Sequence, residues 1–364
     1  MPETTERPVS SLPAYSARPT VRIDGQPLAT VDQQLRTMTV SEAEGGLASL
    51  VLRLGNWGSI GDQVDHLFDA GGPVGLGSRI EVYAGDASGP RKLFDGEVHA
   101  LEGVYSIGGA PELVLLAEDG LFAARQARRS ALHESRTLEQ LARDIASRHG
   151  LTLDASGLPA TPGLWTQVDE SDLAFLRRTA ARLDCDFQLV DSTLQLRRCA
   201  DRDRGTIELA MYSQLLALRV IADLADQVSE ISVGGFDVAR GRACAATSRG
   251  AQRGPGSGLT GTQLLGRLRR GNCRSEHLGA LPCASQAEAQ ALADTAFDQR
   301  ARRFVRAHGQ AEGNAALRVG SRVRLRGTGQ RFDNTYAVVE ARHRFDTVSG
   351  YRTDFVGECA YLAG

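Results

Sequence analysis

The sequence predicts a mainly β chain with α+β inserts, in which one β fold is written twice. Three observations point there. First, 40 glycines among 364 residues fall between short apolar runs, the pattern of many turns and many strands. Second, the stretch GLGSRIEVYAG at 75–85 returns as RVGSRVRLRGT at 318–328. Third, the texture becomes helical after residue 126 and again after Ser285, so inserts separate and interrupt the two copies.

The elements follow in order. Residues 1–20 are polar and rich in Pro and Ser, with no apolar h-region, and read as a flexible arm. Residues 21–125 read as one β domain. VRIDGQPL, LRTMTVSEA and LASLVLRLGN are strand-like bursts separated by Gly25, Gly45-Gly46 and Gly55. In RIEVYAG, Ile80 and Val82 alternate with Arg79, Glu81 and Tyr83, which is a half-buried antiparallel pattern. KLFDGEVHALEGVYS and ELVLLAED continue the sheet.

Residues 126–200 read as a small α/β module. Leu138, Leu141, Ala142 and Ile145 form one helical stripe, Thr137 with Gln140 makes a capping box, and Gly150 suits the C′ position. Leu173, Leu176, Ala180 and Leu183 recur at helical spacing, and DFQLV and LQLRR form a hairpin around Asp191-Ser192-Thr193. Residues 201–245 and 310–364 then read as the second β unit, from TIELA and LLALRVIAD to YAVVEARHRF and YRTDFVGECAYL. Between them, 246–309 reads as an irregular loop and a helical insert. Ser285 and Glu288 cap SQAEAQALADTAFDQRARRFVRAHG, read as one long helix. Gly77-Ser78-Arg79-Ile80 matches Gly320-Ser321-Arg322-Val323, and Phe94-Asp95-Gly96 matches Phe332-Asp333-Asn334. Each match reads as a turn launching a strand, because Gly and Asn tolerate positive φ.

Composition excludes several classes. The net charge of −2 gives no bulk electrostatic case for nucleic-acid recognition or an anionic membrane. No window reaches the roughly 18 consecutive apolar residues of a membrane span, so membrane insertion is not expected. With no secretory signal and six cysteines lacking any CxxC pair, the expectation is a chain made in the cytoplasm with reduced thiols.

Two segments carry a family resemblance. DESDLAFLRRTAARLDCDFQLVDSTLQL (169–196) looks like the signature of the phage late control D family, whose Asp-Leu-x-Phe-Leu helix is matched here by Asp172, Leu173, Phe175 and Leu176. ALRVGSRVRLRGTGQRFDNTYAVVEARHRFDTVSGYRTDF (316–355) is similar to that fold's closing strands, through Gly320, His343, Phe345, Gly350, Tyr351, Thr353 and Phe355. The family comprises baseplate hubs of contractile phage tails and the first part of VgrG spike proteins of type VI secretion. The resemblance implies two tube-protein-like β-barrels per chain and a homotrimer. Its six barrels would match a sixfold tail tube on one side and a threefold spike on the other. The implied partners are the tail tube protein, a spike protein and other baseplate subunits. The implied location is the cytoplasm during assembly, then the virion tail or an extracellular injection particle. The chain stops at Gly364 without a following spike barrel or β-helix repeats, so the expectation is that the spike is a separate polypeptide.

Other motifs support no chemistry. GSGLTG (256–261) matches G-x-G-x-x-G but follows no strand and reads as a flexible loop. Cys273, His277 and Cys283 lack zinc-like spacing and a fourth ligand. Asp169, Glu170 and Asp172 sit at a helix start, where carboxylates favour the macrodipole. No catalytic pair, metal site or cofactor site is predicted. The span from Arg240 to Arg274 carries eight arginines and no acid. Within it, Arg253, Arg267, Arg269 and Arg270 are candidates for contact with an acidic partner, against the plainer reading of a solvated loop face. The predicted function is a non-enzymatic baseplate hub joining tube to spike. The alternatives are a tail-associated cell-wall hydrolase, which would need a convergent catalytic pair, and an effector-carrying spike component.

Overall fold

A computed structural model describes residues 18–363, apart from 70–71, 86–89, 161, 239, 251–252, 269–273, 280–282 and 284. The 1–17 part of the predicted arm lies outside the described residues.

The first β unit begins with β1 (Thr20–Ile23) and β2 (Gln26–Pro27), turned at Asp24-Gly25, both at positive φ. Helix α1 (Ala29–Gln34) leads into β3 (Leu35–Ala43), then β4 (Ser49–Gly55). A small hairpin, β5 (Gly58–Ile60) with β6 (Gln63–Asp65), precedes β7 (Arg79–Ala84), β8 (Arg91–Val104) and β9 (Glu112–Asp119). Along the sheet the order is β1-β7-β8-β9-β4-β3, every pair antiparallel. Alternation decides the faces: Met38, Val40, Leu50, Leu52, Ile80, Val82 and Leu115 are buried in one cluster, while Thr39, Val51 and Arg53 lie on the opposite, more open face.

The α/β module follows: α2 (Phe122–Gln126), β10 (Arg128–Arg136), α3 (Leu138–Arg148), β11 (Thr152–Ala155), β12 (Gly163–Ser171), α4 (Asp172–Arg182), β13 (Cys185–Val190) and β14 (Thr193–Arg198). The predicted stripe, capping box and hairpin are all present. Thr137 and Gln140 exchange side-chain–backbone bonds, Gly150 has φ +67°, and β13 turns into β14 at Asp191-Ser192. The apolar faces of α3 and α4 share a core with Phe187, Leu194 and Leu196.

The second unit opens with β15 (Thr206–Ala210) and β16 (Leu215–Ala222). The chain then leaves for an insert: β17 (Glu230–Asp237), β18 (Arg242–Ser248), β19 (Leu259–Thr260), α5 (Gly261–Leu268), β20 (Ser275–Leu278) and α6 (Gln286–Arg302). It returns in β21 (Val305–Glu312), β22 (Arg322–Arg326), β23 (Thr335–Asp346), β24 (Gly350–Cys359) and β25 (Tyr361–Leu362). The order is β15-β22-β23-β24-β21-β16, joined to the first unit through β23 and β3 in one 13-stranded sheet.

The two units correspond strand for strand. Chain order β3, β4, β7, β8, β9 in the first matches β16, β21, β22, β23, β24 in the second, with the same neighbours in space. Both first strands bulge at one place, between Leu35 and Thr37 and between Leu215 and Ala217. Both fourth strands bulge between Val98 and Ala100 and between Val338 and Glu340. Gly77 N–H donates to Val98 O and Val98 N–H to Ser78 O; Gly320 N–H donates to Val338 O and Val338 N–H to Ser321 O. Bulges fix register and twist, so their repetition marks one fold used twice. One flanking strand differs: β1 runs antiparallel to β7, whereas β15 runs parallel to β22.

Four sequence expectations need correction. The long helix stops at Arg302; Val305–Glu312 is a strand with alternating burial, because its ladder with β24 and β16 outweighs helical spacing. Residues assigned to the second β unit within 201–245 include β17 and part of β18; β17 pairs with β18 on one side and β20 on the other, in a separate sheet under α6. Phe94-Asp95-Gly96 lies inside β8, while Phe332-Asp333-Asn334 precedes β23; the register sets Gly96 in the place of Tyr336, so this second match is displaced. Gly256 and Gly258 are not a loose loop. A Cβ on Gly258 would meet Leu362 O at 2.2 Å, and Thr260 pairs with Tyr361.

Candidate assembly interface

The joint between the two units is where the closing-strand motif comes together. Strand β3 pairs with the far half of β23, setting Phe345 opposite Met38, His343 opposite Val40 and Ala341 opposite Glu42. All six are buried. His343 Nδ1 shares a hydrogen bond with Tyr351 Oη at 2.8 Å and lies 3.3 Å from Thr353 Oγ1. Gly350, at φ +70°, makes the turn from β23 to β24. Phe355 covers Gly309 across the β21–β24 ladder and Tyr351 covers Gly313; a Cβ on either glycine would sit 2.4 Å or 2.1 Å from the ring. Gly320, at φ +86°, carries the turn before β22.

A buried ion pair locks the joint. The Arg318 guanidinium donates to both oxygens of Glu42, through Nε at 2.7 Å and through Nη2. Burial would raise the Glu42 carboxyl, but the charge and hydrogen bond of Arg318 outweigh it and hold the group below its ordinary value. Burial, with Arg318 adding to it, pushes His343 down to about 3, so the ring is neutral in the fold. Sequence reasoning did not single out Glu42 or Arg318. The usable signal was phase: Met38 and Val40 point inward, so Glu42 does too, and an inward acid needs a partner.

The helix motif lies in the module. Asp172 opens α4 and is buried. Arg148 donates to it at 3.0 and 3.1 Å, Gln167 Nε2 donates at 3.1 Å, and His149 Nε2 lies 2.9 Å away. Burial alone would raise its carboxyl, but Arg148, His149 and Gln167 hold it low. Leu173, Phe175 and Leu176 fill the module core. Asp169 is exposed beside Arg128 and Glu170 pairs with Arg178, so the three acids do not converge on a common point. The motif ties α4 to α3.

The arginine-rich span is dispersed. Arg253 is half-buried over the Phe297 ring and donates to Arg249 O at 2.8 Å, whereas Arg267 is exposed. Arg269 and Arg270 lie outside the described residues, as does Cys273. His277 Nδ1 bonds Ser232 Oγ at 2.9 Å, and Cys283 Sγ lies 3.5 Å from Cys244 Sγ. Among the described residues no group of three or more His, Cys, Asp or Glu could hold a metal ion.

Two strand edges complete the picture. Strand β16 ends the sheet, and its Leu216 and Ile221 are exposed. The far half of β8 carries Leu101, and the residues just beyond it include Tyr105 and Ile107, all exposed.

Known structures share this architecture. The chain is similar to a 43 kDa tail protein of prophage MuSo2 from Shewanella oneidensis, with TM-score 0.68 and 11% identity over 94% of this chain and 98% of that one. A tail protein from Neisseria meningitidis gives TM-score 0.65 and 12% identity, over 94% and 96%. An Escherichia coli type VI secretion component, described as structurally similar to the T4 bacteriophage tail proteins gp27 and gp5, gives TM-score 0.59 and 11% identity over 94% and 78%. No curated protein matches the sequence. A family model for the phage tail baseplate hub (GPD) matches residues 73–349, most of the chain, from the turn before β7 to the turn before β24. The chain belongs to the phage tail baseplate hub family.

Proposed function

We propose that the chain is a homotrimeric adaptor, joining a sixfold tail tube to a threefold spike at the centre of a contractile baseplate. The carrying observation is the internal repeat: two units of the same strand order and the same bulges lie side by side in one sheet. Three such chains offer six near-equivalent units, which is what a threefold object needs to meet a sixfold one. On this reading the two tube-like units are centred on β3–β9 and on β15, β16 and β21–β24. The α/β module and the insert face the spike or other baseplate subunits, with Arg253 and Arg267 among the contacts. The role is mechanical and no chemistry is assigned to it. The Escherichia coli type VI neighbour and the two tail proteins support a place in the virion tail or an injection particle, after assembly in the cytoplasm. Mass photometry of the purified chain, followed by cryo-electron microscopy of the particle, tests this: a threefold hub abutting the first tube ring is expected. One copy per particle, or peptidoglycan-clearing activity in a turbidity assay, overturns it.

A further inference from the structure

We propose that neighbouring copies of this chain join edge to edge: β16 of one copy adds antiparallel to the far half of β8 of the next, in the register that joins β3 to β23 inside each chain. The ring it closes rests on the hub reading above; the joint itself rests on the geometry of a single chain.

In the second unit, β23 uses its near end for β22 and its far half, Glu340–Asp346, for β3. The corresponding strand β8 pairs with β7 and, through Val98, with Gly77 and Ser78. Beyond Val98 that outer edge meets no strand among the described residues. Strand β16, the counterpart of β3, pairs with β21 on one side and, among the described residues, ends the sheet on the other. Each chain therefore holds one such joint closed and the two halves of a second one open.

Side chains agree with the backbone. Carrying the register of the closed joint across sets Tyr105 opposite Leu218, Gly103 opposite Val220 and Leu101 opposite Ala222. Phe345, in the closed joint, is 6% exposed, whereas Tyr105 at the matching place is 71% exposed. Met38 and Val40 are fully buried, whereas Leu218 and Val220 are half-buried. An open apolar edge of this kind is an aggregation hazard unless something covers it. A second copy supplies the cover, and Glu102 then lies diagonal to Arg219 on the polar face. The contact is head to tail, which gives a ring where its rotation closes, and the hub reading sets that closure at three copies.

The test uses the full chain carrying Glu102→Cys and Ile221→Cys together. Glu44 N–H donates to Val339 O in the closed joint, so hydrogen-bonded pairs alternate and the place of Glu102 and Ile221 is a non-bonded pair, where side chains approach closest. Oxidation is expected to give a covalent ladder ending at the trimer, which neither single variant gives. Val220→Lys is expected to abolish the oligomer while leaving the far-ultraviolet circular dichroism spectrum native. A trimer that yields no ladder and survives Val220→Lys overturns this joint and leaves the hub reading standing. A wild-type chain that stays monomeric at high concentration removes the hub reading and the joint with it.

Discussion

The two β units share a strand order and differ in what surrounds it. In the first, β3 passes to β4 through residues 44–48; in the second, the corresponding step from β16 to β21 holds the whole insert, 223–304. In the first unit, the edge strand is covered by β23; in the second, no strand among the described residues pairs with its outer edge. The shared part is the apolar alternation of five strands and two bulges. The differing parts are loops and edges. A duplicated fold can thus keep its core while one copy of its outer contact becomes internal and the other stays available.

The largest test breaks the internal joint. Arg318→Ala leaves Glu42 buried without its partner, and the expected loss is about 3–5 kcal/mol in urea unfolding. The matching places in the first unit's turn and on the free edge, Gly75 and Ala222, carry no such pair. A loss below 1 kcal/mol would mean that the joint is held by the ladder alone.

Acid should act on the same joint. Burial and the Arg318 charge push His343 down to about 3 from an ordinary value near 6.5, so its contribution is complete above the unfolded value and is lost as pH falls toward 3. The loss is on the order of 3–5 kcal/mol across that window. Asp119 acts in the opposite sense: burial pushes it up to about 6, so its contribution is present below about 4 and lost as pH rises through 6. Thermal melts of wild type and His343→Gln from pH 7 to pH 3 separate the two, and the variant should show the flatter acid limb. The first unit has Gly103 at the place of His343 and adds nothing to this limb.

A smaller effect probes the cores. Leu52 faces Leu115 in the first unit where Gly309 faces Phe355 in the second, so the same space is divided differently. Gly309→Ala should cost about 1–3 kcal/mol by overpacking. Adding Phe355→Leu should recover part of that cost, which a double-mutant cycle would read as coupling. Additive losses would show that the pair is not in contact. The smallest test compares the turns. Gly77 and Gly320 have φ of +81° and +86°, and Ala at either should cost about 1–2 kcal/mol. Chemical denaturation should give two values within about 0.5 kcal/mol of each other, the scatter of independent sites. A wide gap would break the equivalence of the turns.

Much of the fold was legible in particular residues. Thr137 and Gln140 announced a helix start and made one. Gly77 and Gly320 announced matching turns; each donates to the matching valine, Val98 or Val338, which donates back to the following serine. Other signals misled because they were local. The spacing of Phe304 suits a helix, yet the residues after it form β21 because two flanking strands take their backbone groups. Phe-Asp-Gly and Phe-Asp-Asn share letters but not register, since loop lengths before them differ.

The sequence by itself determined which residues face inward, where the chain turns and that one fold is present twice, because alternation, capping and positive-φ glycines act between near neighbours. Only the tertiary structure decided that β3 lies against β23, that Arg318 reaches Glu42 and that the outer edges of β16 and of the far half of β8 meet no strand among the described residues. Periodicity gives each strand a face but no partner. Choosing among many antiparallel edges of similar chemistry requires the three-dimensional packing of strands some 300 residues apart.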